Sequence, residues 1–240
     1  MFLYNYICIT MSTASYLSDR INSLSESATL KMTKLGRELA AKGINVISLS
    51  VGEPDFNTPD HVKEAAKKAL DDNFTRYSPV PGYPDLRQAV VNKLKNENGL
   101  DYDISQIVVS TGAKQSLSNV ILTLVNPGDE VIIPTPYWVS YSEMVNLAEG
   151  KSVFIDTDIE SNFKITPEQL EAAITPKSKV FMFSSPCNPT GSVYSKEELA
   201  ALVEVFEKHP NIFIISDEIY EHINFVDKHE SIAQFESVKD

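Results

Sequence analysis

The sequence predicts an α/β protein, a mostly parallel sheet with helices packed on both faces. Short uninterrupted runs of branched and aromatic residues read as strands, and helix-period segments fall between them in regular alternation. The composition, 42% hydrophobic and 22% charged, is that of a chain able to build a packed core.

The elements follow in order. Thr58-Pro59-Asp60 is a helix start signal, and Val62, Ala65, Ala66, Ala69 and Leu70 behind it share one helical face. A second helix begins after Pro84, carries Leu86, Ala89, Val90 and Leu94, and ends at Gly99, a residue suited to a helix C-terminus. Strands buried on both faces are expected at 107–109, 131–133, 153–155, 180–183 and 212–215. Helices are expected between them at 115–124, 138–147, 167–174 and 196–206. In the last of these, Leu199, Leu202, Val203 and Phe206 line one face and charges the other. No internal repeat interrupts the alternation. In such sheets ligands sit beyond the carboxyl ends of the strands, so the residues just after each strand are the ones to inspect.

The net charge of −12 over 240 residues disfavours a nucleic-acid binder, which needs a basic face. Cys8 and Cys187 stand far apart and outside any paired pattern, which points to a reducing, cytoplasmic location and away from a disulfide framework. The apolar first ten residues lack a basic flank and a cleavage site and are too short to span a bilayer, so no membrane segment is expected. They read as a leader tail ahead of a polar run that opens at Met11, the expected natural start.

Five loops carry chemistry-bearing residues. Thr111-Gly112-Ala113-Lys114-Gln115 places a glycine turn at a helix N-terminus, an anion site by its unpaired N–H groups, or simply a helix start. Pro134-Thr135-Pro136-Tyr137-Trp138 brings the single tryptophan just past a strand, where it can stack on a flat ligand or serve as a core anchor. In Ser184-Ser185-Pro186-Cys187-Asn188-Pro189-Thr190-Gly191 two prolines fix the direction of the Asn188 amide. Ser216-Asp217-Glu218-Ile219-Tyr220-Glu221-His222 follows the final strand. A buried acid there needs a cation or a shared proton, although Asp217 taken singly reads as a helix N-cap. Glu218 and His222 stand at i, i+4, but no third ligand accompanies them, so no metal is expected. Upstream, the Leu49 to Phe56 run reads as a strand closing into a Gly-Pro turn, and the Arg76 to Arg87 run is stiff with proline. Together the loops offer an anion cradle, a flat aromatic, an oriented amide, an acid and a phenol, a set that suits a flat, phosphorylated, nitrogen-containing ring.

The runs Gly52-Glu53-Pro54-Asp55-Phe56, Pro81-Gly82-Tyr83-Pro84-Asp85-Leu86-Arg87, Gly112-Ala113-Lys114-Gln115, Pro136-Tyr137-Trp138, Asn188-Pro189-Thr190-Gly191 and Ser216-Asp217-Glu218-Ile219-Tyr220 resemble, in order, the class I aminotransferases. The likeness is to their bacterial aspartate aminotransferase branch, which uses pyridoxal 5′-phosphate (PLP) on fold type I. It implies residues 1–11 as a leader, 12–55 as an N-terminal arm with part of the small domain, and 56–240 as an incomplete PLP-binding large domain.

The resemblance also implies residue roles. Gly112 and the amides of Ala113 and Lys114 would hold the cofactor phosphate, Trp138 would stack on the pyridine ring, and Asp217 would pair with its nitrogen. Asn188 and Tyr220 would hydrogen-bond the ring oxygen. Tyr77 would reach the phosphate of a neighbouring subunit, which implies a homodimer with composite sites. Gly52 would meet the substrate carboxylate, and Lys114, with Ser27 and Thr29, would favour an acidic substrate side chain.

One departure stands out. The family's Schiff-base lysine lies in a Ser-x-Ser-Lys-like context beyond the Asp217 motif, and Lys228 and Lys239 lack the flanking serines. The arginine that clamps the substrate α-carboxylate is missing too. The resemblance therefore implies an N-terminal portion, inactive as written, of an enzyme moving an amino group from aspartate to 2-oxoglutarate. The other readings are a PLP-dependent lyase of the same fold and a non-catalytic module of that fold.

Overall fold

A computed structural model describes residues 16–25, 28–49, 52, 54–226 and 228–239. The tail with Cys8, the Met11 start, Ser27 and the Ser50-Val51 part of the upstream run lie outside the described residues, as does the side chain of Thr29.

The centre is a four-stranded parallel sheet in the order β2-β1-β3-β4, built from β1 (Glu130–Thr135), β2 (Lys151–Asp156), β3 (Ser178–Ser184) and β4 (Phe213–Asp217). One short helix, α1 (Asp19–Asn22), and the longer helices α2 (Ala28–Ala41), α3 (Asp60–Asp71) and α4 (Pro84–Lys93) precede it. A π-helical turn, Leu94–Asn98, extends α4 and closes at Gly99 in the left-handed conformation. Then α5 (Ala113–Leu124), α6 (Ser140–Leu147), α7 (Pro167–Ala173) and α8 (Lys196–Phe206) alternate with the strands.

The period of two along the inner strands divides the core. Val131, Ile133, Val180 and Met182 pack with Leu117 and Ile121 of α5 and with Tyr141, Met144 and Val145 of α6. Ile132, Phe181 and Phe183 face the other way, onto Leu170 of α7 and Leu199, Leu202, Val203 and Phe206 of α8. The chain runs from β1 outward to β2, then returns past β1 to β3 and β4. That reversal makes the sheet doubly wound and opens a crevice past the carboxyl ends of β1 and β3.

Capping chemistry sets several boundaries. Ser195 and Thr166 each accept the N3 amide of their helix, and Glu198 and Gln169 return the bond to the cap's own amide. Pro167 and Pro84 occupy first helical positions, where a missing N–H costs nothing.

Three expectations are corrected. Residues 107–109 do not join the sheet: among the described residues no strand pairs with them, and the Val109 amide instead donates to Pro81 O at 2.9 Å. The outer strands β2 and β4 are not buried on both faces, since Phe154 and Phe213 are about half exposed at the sheet edges. The helix at 138–147 begins at Ser140, because Trp138 and Val139 belong to the turn after β1.

Candidate functional site

A cavity of about 480 Å³ lies past the carboxyl ends of the strands. Gly52, Ala113, Trp138, Asn188, Asp217 and Tyr220, six of the residues singled out from the sequence, line it. They arrive from several elements: Trp138 from the turn after β1, Asn188 from the loop after β3, Asp217 as the last residue of β4 with Tyr220 in the turn that follows it, and Ala113 as the first residue of α5.

At one end stands the N-terminus of α5. Gly112 caps it with φ 82° and ψ 160°, a combination essentially restricted to glycine. The Gln115 and Ser116 amides turn back to Gly112 O, at 3.1 and 3.4 Å. Those of Ala113 and Lys114 donate to no group among the described residues. Two free amides at the positive end of a helix form an anion cradle.

At the other end stands Asp217, 8% exposed. It ends β4 and caps no helix: its Oδ1 accepts the Ile219 amide at 3.3 Å within a turn, which corrects the N-cap reading. Its Oδ2 accepts the hydroxyl of Tyr141 at 2.7 Å. No ion pair reaches Asp217 among the described residues, so its partners there are neutral donors.

Between the two ends lies Trp138, with the edge of its ring against Tyr141 at 5.7 Å between centroids. The Lys114 ammonium sits 4.8 Å from the Trp138 centroid. Lys114 and Gly112 thus border the cavity wall rather than line it. Tyr77 stands apart, with its whole side chain in solvent. Glu218 is bonded to Ser216, Ser231 and His229, while His222 lies 3.5 Å from Glu221, so that acid and that imidazole face different partners.

The sequence reading did not single out Tyr141 as part of the site. Burial pushes its phenol well above the usual tyrosine range, and the Asp217 charge and hydrogen bond push it further, so it stays a protonated donor. The available signal was its spacing, three residues after Trp138 and so close to it in space.

A doubly wound parallel sheet whose polar groups converge past the strand ends defines an α/β protein of the class that gathers ligands at the switch point. The chain belongs to the aminotransferase class I and II family, whose model matches residues 44–239. It is 53% identical over 213 residues to the aspartate/prephenate aminotransferase of Cereibacter sphaeroides, covering 89% of this chain and 53% of that protein. Against the aspartate/prephenate aminotransferase of Nitrosomonas europaea it is also 53% identical, over 86% of this chain and 52% of the relative. Among solved structures, the aspartate aminotransferase from Rhizobium meliloti superposes with a TM-score of 0.91 at 42% identity, covering 95% of this chain and 57% of that one. The aspartate aminotransferase from Thermus thermophilus with maleate gives 0.88 at 43%, over 92% and 58%. The chain spans about half the length of the relatives it matches. The fold is that of fold type I aminotransferases, as the motifs led us to expect.

Proposed function

We propose that the chain is the cofactor-cradling part of a PLP-dependent aminotransferase acting on aspartate or a similar amino acid with 2-oxoglutarate as acceptor. The observation that carries this is the shared cavity: an anion cradle at the Ala113 and Lys114 amides and a buried carboxylate at Asp217, the one without acceptors and the other without a cation among the described residues, with Trp138 between them. A phosphate and a protonated ring nitrogen are complementary to those two ends. The names of the relatives and the order of the motifs support the same reading.

When bound, PLP supplies an electron sink for the bond-breaking at the amino acid's α-carbon. The residues of this chain have supporting tasks. Asp217 holds the proton on the ring nitrogen, and Asn188 and Tyr220 donate to the ring oxygen. Trp138 covers one face of the ring and excludes water from it. Gly52 presents backbone to the substrate carboxylate, and Lys114 attracts an acidic side chain. None of these residues is a base for the α-proton, and no lysine among the 240 stands in the family's serine-flanked context. The chain alone accordingly holds PLP without turning over substrate.

A homodimer belongs to this reading, with Tyr77 free to reach a second subunit's phosphate. So do amino-acid and 2-oxo-acid substrates, the division at residues 55 and 56, and a cytoplasmic location inferred from the two cysteines. No described helix is long and apolar enough to cross a membrane.

Trp138 is the single tryptophan, so its fluorescence reports the cavity directly. Titration with PLP is expected to quench it saturably, and borohydride treatment of the complex is expected to fix no cofactor to a lysine of this chain. Absence of saturable quenching, or its survival in Asp217→Ala at unchanged affinity, overturns the proposal.

A further inference from the structure

Asp217 is buried at the end of β4 with its two oxygens differently occupied. Oδ1 takes a long bond from the Ile219 amide, 3.3 Å, and Oδ2 takes a short one from Tyr141, 2.7 Å. The short bond comes from a side chain 1% exposed and locked on both sides by aromatic neighbours. Trp138 meets it edge-on at 5.7 Å, and Tyr137 stacks on it at 6.5 Å. The hydroxyl therefore has a fixed position from which it orients the carboxylate.

The donor's chemistry matters as much as its place. A cationic donor at this point would neutralise Asp217 and compete with any second cation. A phenol orients the carboxylate and leaves its full negative charge for the cavity. Burial and the Asp217 charge hold Tyr141 in its protonated form, so the direction of the bond is fixed: the phenol donates and the carboxylate accepts.

We propose that Tyr141 is the positioning residue of the cofactor site. Its hydroxyl pins Asp217 Oδ2 and so turns the uncompensated carboxylate toward the ring nitrogen of PLP. The proposal rests on the PLP reading above. It adds that binding strength at the nitrogen end is set by a residue that contributes no charge.

The test uses the 240-residue chain, Trp138 quenching, and two ligands: PLP and its 1-deaza analogue, in which carbon replaces the ring nitrogen. Tyr141→Phe keeps the aromatic packing and removes only the hydroxyl. It is expected to weaken PLP by about tenfold or more, the worth of one hydrogen bond to a charged group, and to leave the deaza analogue unchanged. Asp217→Ala is expected to erase the preference for PLP over the analogue, and Tyr141→Phe added to Asp217→Ala to change nothing more.

Equal weakening of both ligands in Tyr141→Phe makes Tyr141 a packing residue and overturns the inference. An unchanged preference in Asp217→Ala overturns the PLP reading itself, a separate outcome. Should Tyr141→Phe fail to fold, the ring-carbon resonance of Tyr141 in the unmodified chain answers the same question. It is expected to shift on binding PLP and to stay in place with the deaza analogue. A resonance indifferent to both ligands, or moved alike by both, refutes the role.

Discussion

His229 Nε2 lies 2.9 Å from Oε2 of Glu218, the residue directly after Asp217. The other oxygen of Glu218 accepts the hydroxyls of Ser216 at 2.8 Å and Ser231 at 2.7 Å. One carboxylate thus joins the end of β4 to the segment that leads into the short turn Ile232–Gln234, whose Ile232 packs in the core with α8. Glu218→Ala removes the acceptor from three donors at once. Partly buried donors left without a partner cost about 2 kcal/mol in total after some reach water, and Glu218→Gln, which keeps one oxygen, costs less. Urea unfolding of the two variants checks the order. Equal midpoints for Glu218→Ala and the parent chain would show that the network contributes nothing.

Gly82 combines a positive φ of 101° with a close neighbour: a Cβ built there meets Val109 Cγ2 at 2.7 Å. The contact arises because Pro81 O accepts the Val109 amide, drawing the two segments together. Gly82→Ala is expected to cost about 1–3 kcal/mol from crowding and backbone strain combined. A Cβ at position 82 also meets Val109 Cβ, at 2.8 Å, so it takes Val109→Gly to remove the crowding and leave the strain, and the double variant then recovers part of the loss relative to Val109→Gly alone. Thermal melts of the four chains read this directly, and strictly additive losses would contradict the contact.

Two tyrosines give the chain an alkaline limit. Burial raises the phenols of Tyr141 and Tyr194, and for Tyr141 the Asp217 charge adds to it. Both therefore stay protonated in the folded chain at a pH where an unfolded tyrosine, near about 10, ionises. The folded state holds more protons there, so their share of stability is complete below about pH 10 and is lost as pH rises beyond it. In a titration followed at the phenolate band, these two of the 10 tyrosines are expected to ionise only as the chain unfolds. Tyr194→Phe should lessen the alkaline slope of stability by one proton's worth. An unchanged slope would show that Tyr194 titrates normally.

How much of this was legible depends on where the partners lie in sequence. The helix at 196–206 was read at its observed bounds because Leu199, Leu202, Val203 and Phe206 repeat along one face with charges on the other. The strands β1 and β3 were legible as unbroken apolar runs because both of their faces are covered. Residues 107–109 carry the same apolar pattern, yet a strand needs a neighbour, and no local signal says whether one is present. The same limit hid Tyr141. Its role comes from a bond to a residue 76 positions away, and within α6 it looks like one more member of the buried face. The loop residues were legible for the opposite reason: glycine, proline, Asn188 and Asp217 sit immediately after recognisable elements, where an α/β sheet gathers its ligands.

Gly112 allows the phosphate end of the cavity to be tested separately from the ring end. At φ 82° and ψ 160° a side chain is disfavoured by its own backbone, while the space around an added Cβ is empty. Gly112→Ala therefore acts through backbone rotation alone, by about 1–3 kcal/mol of strain relieved only if the turn re-forms. Any such relief reorients the amides of Ala113 and Lys114, the two that face no partner among the described residues. Pyridoxal, which lacks the phosphate, does not depend on those amides. The variant is accordingly expected to lose at least about tenfold in PLP affinity, the worth of one to two charge-assisted hydrogen bonds, while its affinity for pyridoxal hardly changes. Trp138 quenching measures both ligands in one protein, with inorganic phosphate as competitor. Parallel losses for PLP and pyridoxal would mean that the turn only shapes the cavity, and phosphate failing to compete with PLP in the parent chain would remove the cradle from the site altogether.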